Sequence, residues 1–291
     1  MIALATRGSA LARVQAELAL AALRSAFPEE EFTEVVVDSD GDLSPAAVAP
    51  DQPGEGWFTS RLERSLRSGH VDGAVHSAKD LPTEISQDLV ISAYLPRADP
   101  RDALVVAAGT HLADLPQGAR IGTSSPRRAA QLLALRPDLV MVPIRGNVDT
   151  RIGKVRQGEF GGCLLAMAGL LRLGRGSEGQ VLDPESECTP APAQGAIAIQ
   201  ARVGTRLAEM ALHIDDPSTR RCVEAERLVL TLMGGGCQLP LGALAAPLGP
   251  ARARLTVAWA PEMGELVRRA TGEAALTGLS DLAIELAGQL R

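Results

Sequence analysis

Residues 120–135 read RIGTSSPRRAAQLLAL, a short strand that passes through a polar turn into a helix. Ser125 can cap the helix with its hydroxyl oxygen, and Pro126 suits the first helical position because it has no N–H to leave unpaired. We therefore predict a helix from Pro126 through Leu135. A strand that leads directly into a capped helix is the repeating unit of open α/β sheets, which bind ligands where their helices begin.

The same alternation of strand and helix runs through most of the chain. It starts with IALAT at residues 2–6 and restarts with ALVVA at residues 103–107, after the turn-forming segment PRADPRD. Alternating strands and helices with short loops predict two parallel α/β units. The remainder reads as a helix, several strands and a final helix, which is typical of an α+β domain. We expect an α/β domain at residues 1–96 and 195–216, a second at 100–190, and a small α+β domain at 217–291.

The composition narrows the class of protein. Of the 291 residues, 46 % are hydrophobic, and the net charge is −6. This charge argues against a general binder of nucleic acids or membrane surfaces. The chain shows neither the apolar run of a signal peptide nor the roughly 18 apolar residues of a membrane span. Its four cysteines have no CxxC spacing, so we expect a cytoplasmic protein with free thiols and without a bound metal.

Basic residues cluster at four strand-to-helix junctions, the places where an open α/β sheet binds ligands. The junctions read TRGS at residues 6–9, HSAKDLP at 76–82, GTSSPRR at 122–128 and RGNVDTR at 145–151. At the third, Arg127 and Arg128 occupy the first helical turn, where the helix dipole disfavours cations. Either an anion binds between them and the free N–H groups, or both side chains bend outward into water. Because four junctions share this character, we expect a cleft between the two α/β domains that binds a multiply charged anion.

Two further features point to chemistry. Asp80 lies within the second basic junction, and it acts either as a structural ion-pair or capping group or as a catalytic carboxylate. Residues 234–240 read GGGCQLP, where Gly234 can end a helix and the other glycines leave room around Cys237. From this stretch alone Cys237 is a candidate reactive thiol. The other cysteines, at positions 163, 188 and 222, are expected to be structural.

The motifs AVHSAKDLP, GTSSPRR and GGGCQLP, together with DPRDALV, IRGNVDTR, LAMAGLLRLG and APAQGA in the same order, resemble the porphobilinogen deaminase (hydroxymethylbilane synthase) family. The resemblance covers nearly the whole chain. It implies two periplasmic-binding-protein-like α/β domains around a cleft and a small α+β domain. It also implies a monomer that joins four porphobilinogen units head to tail, losing ammonia at each step, on a dipyrromethane cofactor bound through a thioether.

The resemblance assigns roles to individual residues of this chain. It makes Cys237 the attachment point and Asp80 the catalytic carboxylate, which contacts pyrrole N–H groups and stabilises positive charge. Further residues expected to hold the cofactor are Ser77, Lys79, Thr123, Ser124, Ser125, Arg127, Arg128 and Gly146. Residues expected to bind porphobilinogen are Arg7, Ser9, Gln15, Phe58, Arg145, Arg151 and Gln194.

The sequence departs from the family pattern before and within the expected lid. Basic residues are frequent at two family positions that correspond here to SDGD at residues 39–42 and GEGWF at residues 54–58. Asp40 and Glu55 replace these positive charges. We expect the change to affect contacts of the lid with substrate carboxylates and to leave the core motifs unaltered.

Two other functions were weighed against the enzyme. A non-catalytic anion-binding protein of the solute-binding or effector-sensing type would share the two-domain cleft, but it leaves Asp80 and GGGCQLP without a purpose. A phosphate-handling enzyme is disfavoured because the chain has neither a GxxxxGK[ST] loop nor a glycine-rich dinucleotide motif. We expect no nucleic-acid or membrane partner.

Overall fold

The computed structural model of the protein describes residues 1–37, 60–107, 110–236, 239–261 and 266–291. Contacts divide the chain into two compact units, Met1–Ala98 with Ala196–Arg220, and Asp99–Gly195 with Arg221–Arg291. The predicted roles of Asp40, Glu55, Phe58 and Cys237 fall on residues outside the described ranges. Among the described residues, no helix has the length and apolar character needed to cross a membrane.

Strands and helices are numbered in chain order. The strands are β1 (Ile2–Thr6), β2 (Phe32–Val36), β3 (Gly73–Ser77), β4 (Leu89–Tyr94), β5 (Asp102–Val106), β6 (Arg120–Gly122), β7 (Val140–Val142), β8 (Gly162–Ala166), β9 (Gln180–Val181), β10 (Ile197–Arg202), β11 (Leu241–Pro247), β12 (Arg252–Trp259) and β13 (Arg268–Ala275). The helices are α1 (Ala10–Ala26), α2 (Ser60–Arg67), α3 (Pro126–Leu135), α4 (Val148–Arg156), α5 (Met167–Arg172), α6 (Arg206–Ala211), α7 (Pro217–Leu232) and α8 (Leu279–Leu290). The predicted helix from Pro126 through Leu135 is confirmed as α3.

The first unit is built on a five-stranded sheet with the order β2-β1-β3-β10-β4. Strands β1, β2 and β3 are parallel, whereas β10 runs antiparallel to both β3 and β4. Helix α1 buries Ala16, Leu20 and Leu23 in a core that also contains Val75 and Ile199 of the sheet. These apolar residues recur every three or four positions along α1, so one face of the helix is covered by the sheet.

The second unit contains a sheet of the same design, with the order β7-β6-β8-β5-β9. Strand β5 is antiparallel to β8 and β9, and β6 is parallel to β7 and β8. One core cluster contains Ile144, Ile152 and Phe160, and another contains Ile121 and Leu132. Each sheet therefore has one reversed strand, which corrects our prediction of two purely parallel units.

The C-terminal part of the second unit is an antiparallel sheet with the order β11-β12-β13. Its core joins Val229 of α7 and Leu286 of α8 to Leu255 and Val257 of β12. The predicted fold class, two α/β domains and a small α+β domain, is thereby confirmed. The predicted domain boundaries and the cleft remain predictions.

Candidate functional site

The edge of the first sheet brings together two of the predicted basic junctions. Strands β1 and β3 are parallel neighbours, with Leu4 opposite Gly73, so the chain leaves both strands at the same edge. Arg7 follows β1 directly, and the short 3-10 turn Ala78–Asp80 follows β3. The Ser9 hydroxyl caps α1 by accepting a hydrogen bond from the N–H of Ala12 at 3.3 Å.

Gln15 supports this edge from within the unit. Its Nε2 donates to the Ser77 hydroxyl oxygen at 2.9 Å, and its Oε1 lies 3.0 Å from the same hydroxyl and can accept its hydrogen. Gln15 is buried, whereas Ser77 is half-buried. The contact present in the structure therefore fixes Ser77, and the predicted contact of Gln15 with porphobilinogen stays a prediction.

Asp80 ends the 3-10 turn and is half-buried. The turn is tied to the sheet, because the N–H of Ala78 donates to the carbonyl of Ala196 at 3.0 Å. Within the ranges that the structure describes, the Asp80 carboxylate has no hydrogen-bond or ion-pair partner. The backbone that carries Asp80 is thus held in place while its carboxylate oxygens stay available.

His76, near the end of β3, is not placed to act as a general base. It is buried and pairs through Nε2 with Oε1 of Gln200 at 2.9 Å. Burial, opposed by this hydrogen bond and reinforced by the charge of Arg7, lowers the pKa of His76 to about 4. The imidazole is therefore neutral near pH 7.

In the second unit the loops after β6 and β7 are joined by serine and threonine hydroxyls. Ser125 caps α3, and its N–H donates to the Thr123 hydroxyl at 3.1 Å. Ser124 donates its hydroxyl hydrogen to the carbonyl of Ile144 at 3.0 Å and accepts the Ile144 N–H at 3.2 Å. These hydroxyls position the two loops, which is a structural role compatible with the predicted contacts to the cofactor.

Gly146 shapes the loop that leads into α4. Its φ of 112° lies where side chains are disfavoured, and an added Cβ would approach Thr150 within 2.6 Å. The Gly146 carbonyl accepts a hydrogen bond from Nε of Arg151 at 2.8 Å. Arg145, the residue before this glycine, is exposed. Gly146 therefore acts through backbone conformation, by placing the two neighbouring arginines.

The sequence offered two arrangements for Arg127 and Arg128, binding of an anion between them or side chains that bend outward into water. The structure shows neither. Their side chains are only 5 % and 9 % exposed, and both bind the carboxylate of Asp102, which is 0 % exposed. Arg127 Nη1 donates to Oδ2 at 2.5 Å, and Arg128 donates to Oδ1 through Nε at 2.9 Å and Nη2 at 2.7 Å. The anion that offsets their charge at the start of α3 belongs to the protein itself.

Gln194 and Cys188 complete this cluster around Asp102. Gln194 Nε2 donates to Oδ1 of Asp102 at 2.9 Å and to the carbonyl of Pro100 at 2.8 Å, and its Oε1 lies 3.5 Å from Arg128 Nη2. Cys188 donates its thiol hydrogen to Oδ2 at 3.3 Å. Burial, together with the negative charge of Asp102, raises the pKa of the Cys188 thiol to about 12. Gln194 is 1 % exposed, so its side chain is enclosed by this cluster, and its predicted contact with porphobilinogen stays a prediction.

Two more arginines add positive charge that no carboxylate of this cluster offsets. Burial and the neighbouring Arg128 lower the pKa of Arg151. Burial lowers the pKa of Arg172 to about 10, and its Nη2 donates to the carbonyl of Gly195 at 2.7 Å. A guanidinium whose pKa is lowered by burial gains from an anion that replaces the lost water. The arrangement therefore suits a ligand that carries carboxylates.

Sequence reasoning missed Asp102 and Arg172. Both lie in stretches that carried the resemblance, DPRDALV and LAMAGLLRLG, but neither was given a role. The available signal was a charged residue at the border of a strongly apolar strand or helix, because burying such a residue requires a partner.

The chain matches a known protein family and individual members of it over most of its length. The family described as porphobilinogen deaminase, dipyromethane cofactor binding domain, matches residues 2–209. The chain belongs to the porphobilinogen deaminase family. Three of its relatives carry that family's name and align over most of both chains. They are the porphobilinogen deaminases of Acidothermus cellulolyticus (47 % identity, 84 % of this chain and 75 % of that one), Mycobacterium leprae (47 %, 84 % and 77 %) and Roseiflexus sp. strain RS-1 (45 %, 82 % and 80 %).

Membership in the porphobilinogen deaminase family decides between the functions weighed above. The protein is an enzyme that condenses porphobilinogen to hydroxymethylbilane with loss of ammonia, and it uses a dipyrromethane cofactor. The non-catalytic anion-binding alternative is not supported. Among solved structures, the BvgS VFT2 domain of Bordetella pertussis superposes with a TM-score of 0.44 at 18 % identity, covering 72 % of this chain and 84 % of that one, a likeness that carries no argument about function.

Proposed function

We propose that the arginine cluster of the second unit holds the carboxylates of dipyrromethane, that Cys237 tethers this cofactor, and that Asp80 is the catalytic carboxylate. The observation that carries the proposal is the imbalance of charge around Asp102. Two buried guanidinium groups, those of Arg127 and Arg128, share this single carboxylate, and the neighbouring Arg151 adds a further positive charge beside Arg128. A buried excess of cations is unfavourable unless a ligand brings negative charge.

Dipyrromethane fits this set of donors. It carries acetate and propionate side chains, and arginine is the side chain best suited to binding carboxylates through two parallel hydrogen bonds. The pKa of Arg172, in the same unit, is lowered by burial, so a carboxylate ligand restores an interaction that this group has lost with water. When bound, dipyrromethane supplies the pyrrole to which porphobilinogen units are joined.

In this proposal some residues of the second unit bind the cofactor, and others position the residues that bind it. Arg127 and Arg128 are locked by Asp102, so their remaining donors present a fixed pattern to a ligand. Ser124 joins the loops after β6 and β7 through the backbone of Ile144, and Thr123 and Ser125 are hydrogen-bonded within the first of these loops, which keeps this pattern in register. We assign Lys79 and Ser77 of the first unit to the cofactor as well, on the resemblance of HSAKDLP.

Asp80 is suited to the chemical step because its backbone is fixed and its carboxylate has no partner among the described residues. A carboxylate accepts hydrogen bonds from pyrrole N–H groups and lowers the free energy of positive charge that develops as ammonia leaves the substrate. His76 is neutral and buried, so we do not assign it a role as a general base or acid. We assign proton transfer at this edge of the sheet to Asp80.

We assign the carboxylates of porphobilinogen to Arg7, Arg145 and Arg151, together with Ser9, on the resemblance of TRGS and RGNVDTR. Gln15 and Gln194 act indirectly, through Ser77 and through Arg128. Phe58 keeps its predicted contact with the pyrroles on the strength of the sequence motif. We further propose a cytoplasmic monomer without nucleic-acid or membrane partners, as the family resemblance implies.

Intact-mass spectrometry tests the proposal. The wild-type protein should exceed its sequence mass by one covalent dipyrromethane, and Cys237→Ser should lack this excess. Asp80→Asn should carry the cofactor but lose nearly all turnover of porphobilinogen. Asp88→Asn is the matched control, because Asp88 is an exposed carboxylate of the same unit that pairs with Arg67. An active wild-type protein without added mass would refute the tether, and normal turnover by Asp80→Asn would show that Asp80 is structural.

A further inference from the structure

A tight turn at residues 191–194 has an unfavourable residue at its third position. The N–H of Gln194 donates to the carbonyl of Ala191 at 3.0 Å, Pro192 stands second, and Ala193 stands third with a φ of 64°. Pro at the second position and a positive φ at the third are the marks of a type II turn, which favours glycine there. In the part of the chain that the structure describes, Ala193 is the one non-glycine residue with a positive φ.

Glu226 holds this turn from helix α7. Its Oε2 accepts a hydrogen bond from the N–H of Ala193 at 2.7 Å, and its Oε1 accepts one from the N–H of Ala245 in β11 at 2.8 Å. Type I and type II turns differ in the direction of their central peptide, and the Ala193 N–H belongs to that peptide. A buried carboxylate on one side of the turn therefore selects the type II form, despite the cost of placing alanine in the left-handed region.

The residues that leave the turn contact the arginine cluster directly. Gln194 binds Asp102 and lies within hydrogen-bond distance of Arg128. The carbonyl of the next residue, Gly195, accepts from Arg172. The conformation of one turn therefore sets the position of partners for two arginines and for the carboxylate that locks them.

We propose that Glu226 is a positioning residue for the porphobilinogen deaminase reaction, which keeps Ala193 left-handed and so aligns Gln194 and Gly195 with the arginine cluster. The same carboxylate joins the turn to strand β11 through Ala245. The inference rests on the proposed function, in which these arginines hold the carboxylates of the cofactor. The competing explanation is that Glu226 merely satisfies two buried N–H groups and contributes only to stability.

Coupling between Glu226 and Ala193 separates these explanations. Glu226→Gln keeps the shape of the side chain but retains a single acceptor oxygen for two N–H donors. Ala193→Gly removes the methyl group that makes a positive φ costly. Val229→Ala is the matched stability control, because Val229 is fully buried on the same helix and packs in the C-terminal core. The readouts are kcat/KM per folded molecule, the fraction of protein that carries the dipyrromethane mass, and the urea midpoint.

We expect Glu226→Gln to lower kcat/KM by about tenfold or more and to reduce cofactor loading, since a buried N–H loses its acceptor. Adding Ala193→Gly to that variant should restore at least about fivefold, because glycine adopts a positive φ without the cost that alanine bears. Val229→Ala should lower the urea midpoint with loading and kcat/KM unchanged. If Glu226→Gln does not fold, recovery of folded, loaded protein in the double variant supports the proposal, and equal failure of both overturns it.

Two further results would overturn the inference. Glu226→Gln could match Val229→Ala in every readout, or the addition of Ala193→Gly to Glu226→Gln could fail to raise kcat/KM and cofactor loading. Arg128→Ala, measured in parallel, tests the proposed function separately. Loss of loading in Arg128→Ala with normal loading and turnover in Glu226→Gln refutes the positioning role alone. Normal loading in Arg128→Ala refutes the assignment of the arginines to the cofactor.

Discussion

Replacing Asp102 with Asn should lower the free energy of unfolding by more than the loss of a surface ion pair does. The carboxylate is fully buried, and its two oxygens accept from Arg127, Arg128, Gln194 and Cys188. Asn keeps one acceptor oxygen and places its NH2 group where the other oxygen bound an arginine, so one guanidinium group faces a donor and both cations are buried without a counter-charge. Breaking a buried ion pair by removing one partner costs about 3–5 kcal/mol. That is a large share of the roughly 5–15 kcal/mol by which proteins are usually stable.

Urea unfolding followed by circular dichroism measures this loss. With a slope near 3 kcal/mol per M, the expected cost corresponds to a midpoint lower by about 1–2 M. Asp138→Asn is the control, since Asp138 pairs with Arg136 at the surface, with 25 % and 20 % of the two side chains exposed. Surface pairs contribute little. A midpoint shift in Asp102→Asn no larger than that of Asp138→Asn would refute the reasoning.

The pH dependence gives a second check on Asp102. The two arginines hold the pKa of this carboxyl well below its usual range, against the opposing effect of burial. A folded-state pKa below the unfolded value stabilises the protein above the unfolded pKa, about 3.9, and this contribution is lost as the pH falls further. The difference in stability between wild type and Asp102→Asn should therefore stay constant from pH 7 to 5 and shrink below about pH 4. A difference that already shrinks between pH 7 and 5 would contradict this assignment.

Three more predictions follow from single positions. Gly146→Ala should lower kcat/KM more than Gly158→Ala, because an added methyl group meets Thr150 at the first site and open space at the second, although both glycines have a positive φ; equal effects would show that the loop is not sensitive to this contact. The pKa of His76 is about 4 in the folded protein and about 6.5 in the unfolded chain, so protons favour the unfolded chain and wild type should lose about 2 kcal/mol of stability from pH 7 to 5. His76→Gln should not show this loss. Urea unfolding curves of both proteins at both pH values measure it, and an equal loss in His76→Gln would contradict the reasoning. Glu55→Lys should change KM more than kcat in steady-state assays, and no change in either would mean that Glu55 touches nothing that matters.

The sequence predicted the elements of the fold better than their directions. Apolar spacing and the Ser125–Pro126 cap located α3, because these signals act within one helical turn. The reversed strands β5 and β10 were not foreseen, since the spacing of apolar residues is the same whichever way a strand runs. Strand β10 joins its sheet only after the chain has passed through the second sheet, and β5 pairs with β8 and β9, which come much later in the chain, so both directions depend on residues far away in sequence.

The loops of the site were predictable, but the partners of their arginines were not. Arg127 and Arg128 stand beside a cap and a proline, which identified the junction from local sequence alone. Asp102 is 25 and 26 residues away from them, and the two meet only once β5 lies beside β8. Glu226 and Ala193 are 33 residues apart and belong to different elements. Contacts of this kind are products of the sheet order, so they appear only when the fold is known.

Under the proposed function, the buried Asp102 fixes two adjacent arginines before a carboxylate ligand binds to them. Both guanidinium groups lie at the positive end of α3, where they repel each other and the helix dipole. One internal carboxylate offsets part of this charge and fixes both side chains, so little conformational entropy remains to be lost on binding. It cannot offset all of the charge, because one carboxylate faces two guanidinium groups and Arg151 adds a third near Arg128. If the cluster holds the cofactor carboxylates as we propose, the net positive charge that remains favours a ligand bearing several carboxylates, and a second internal acid would stabilise the empty protein at the expense of that affinity.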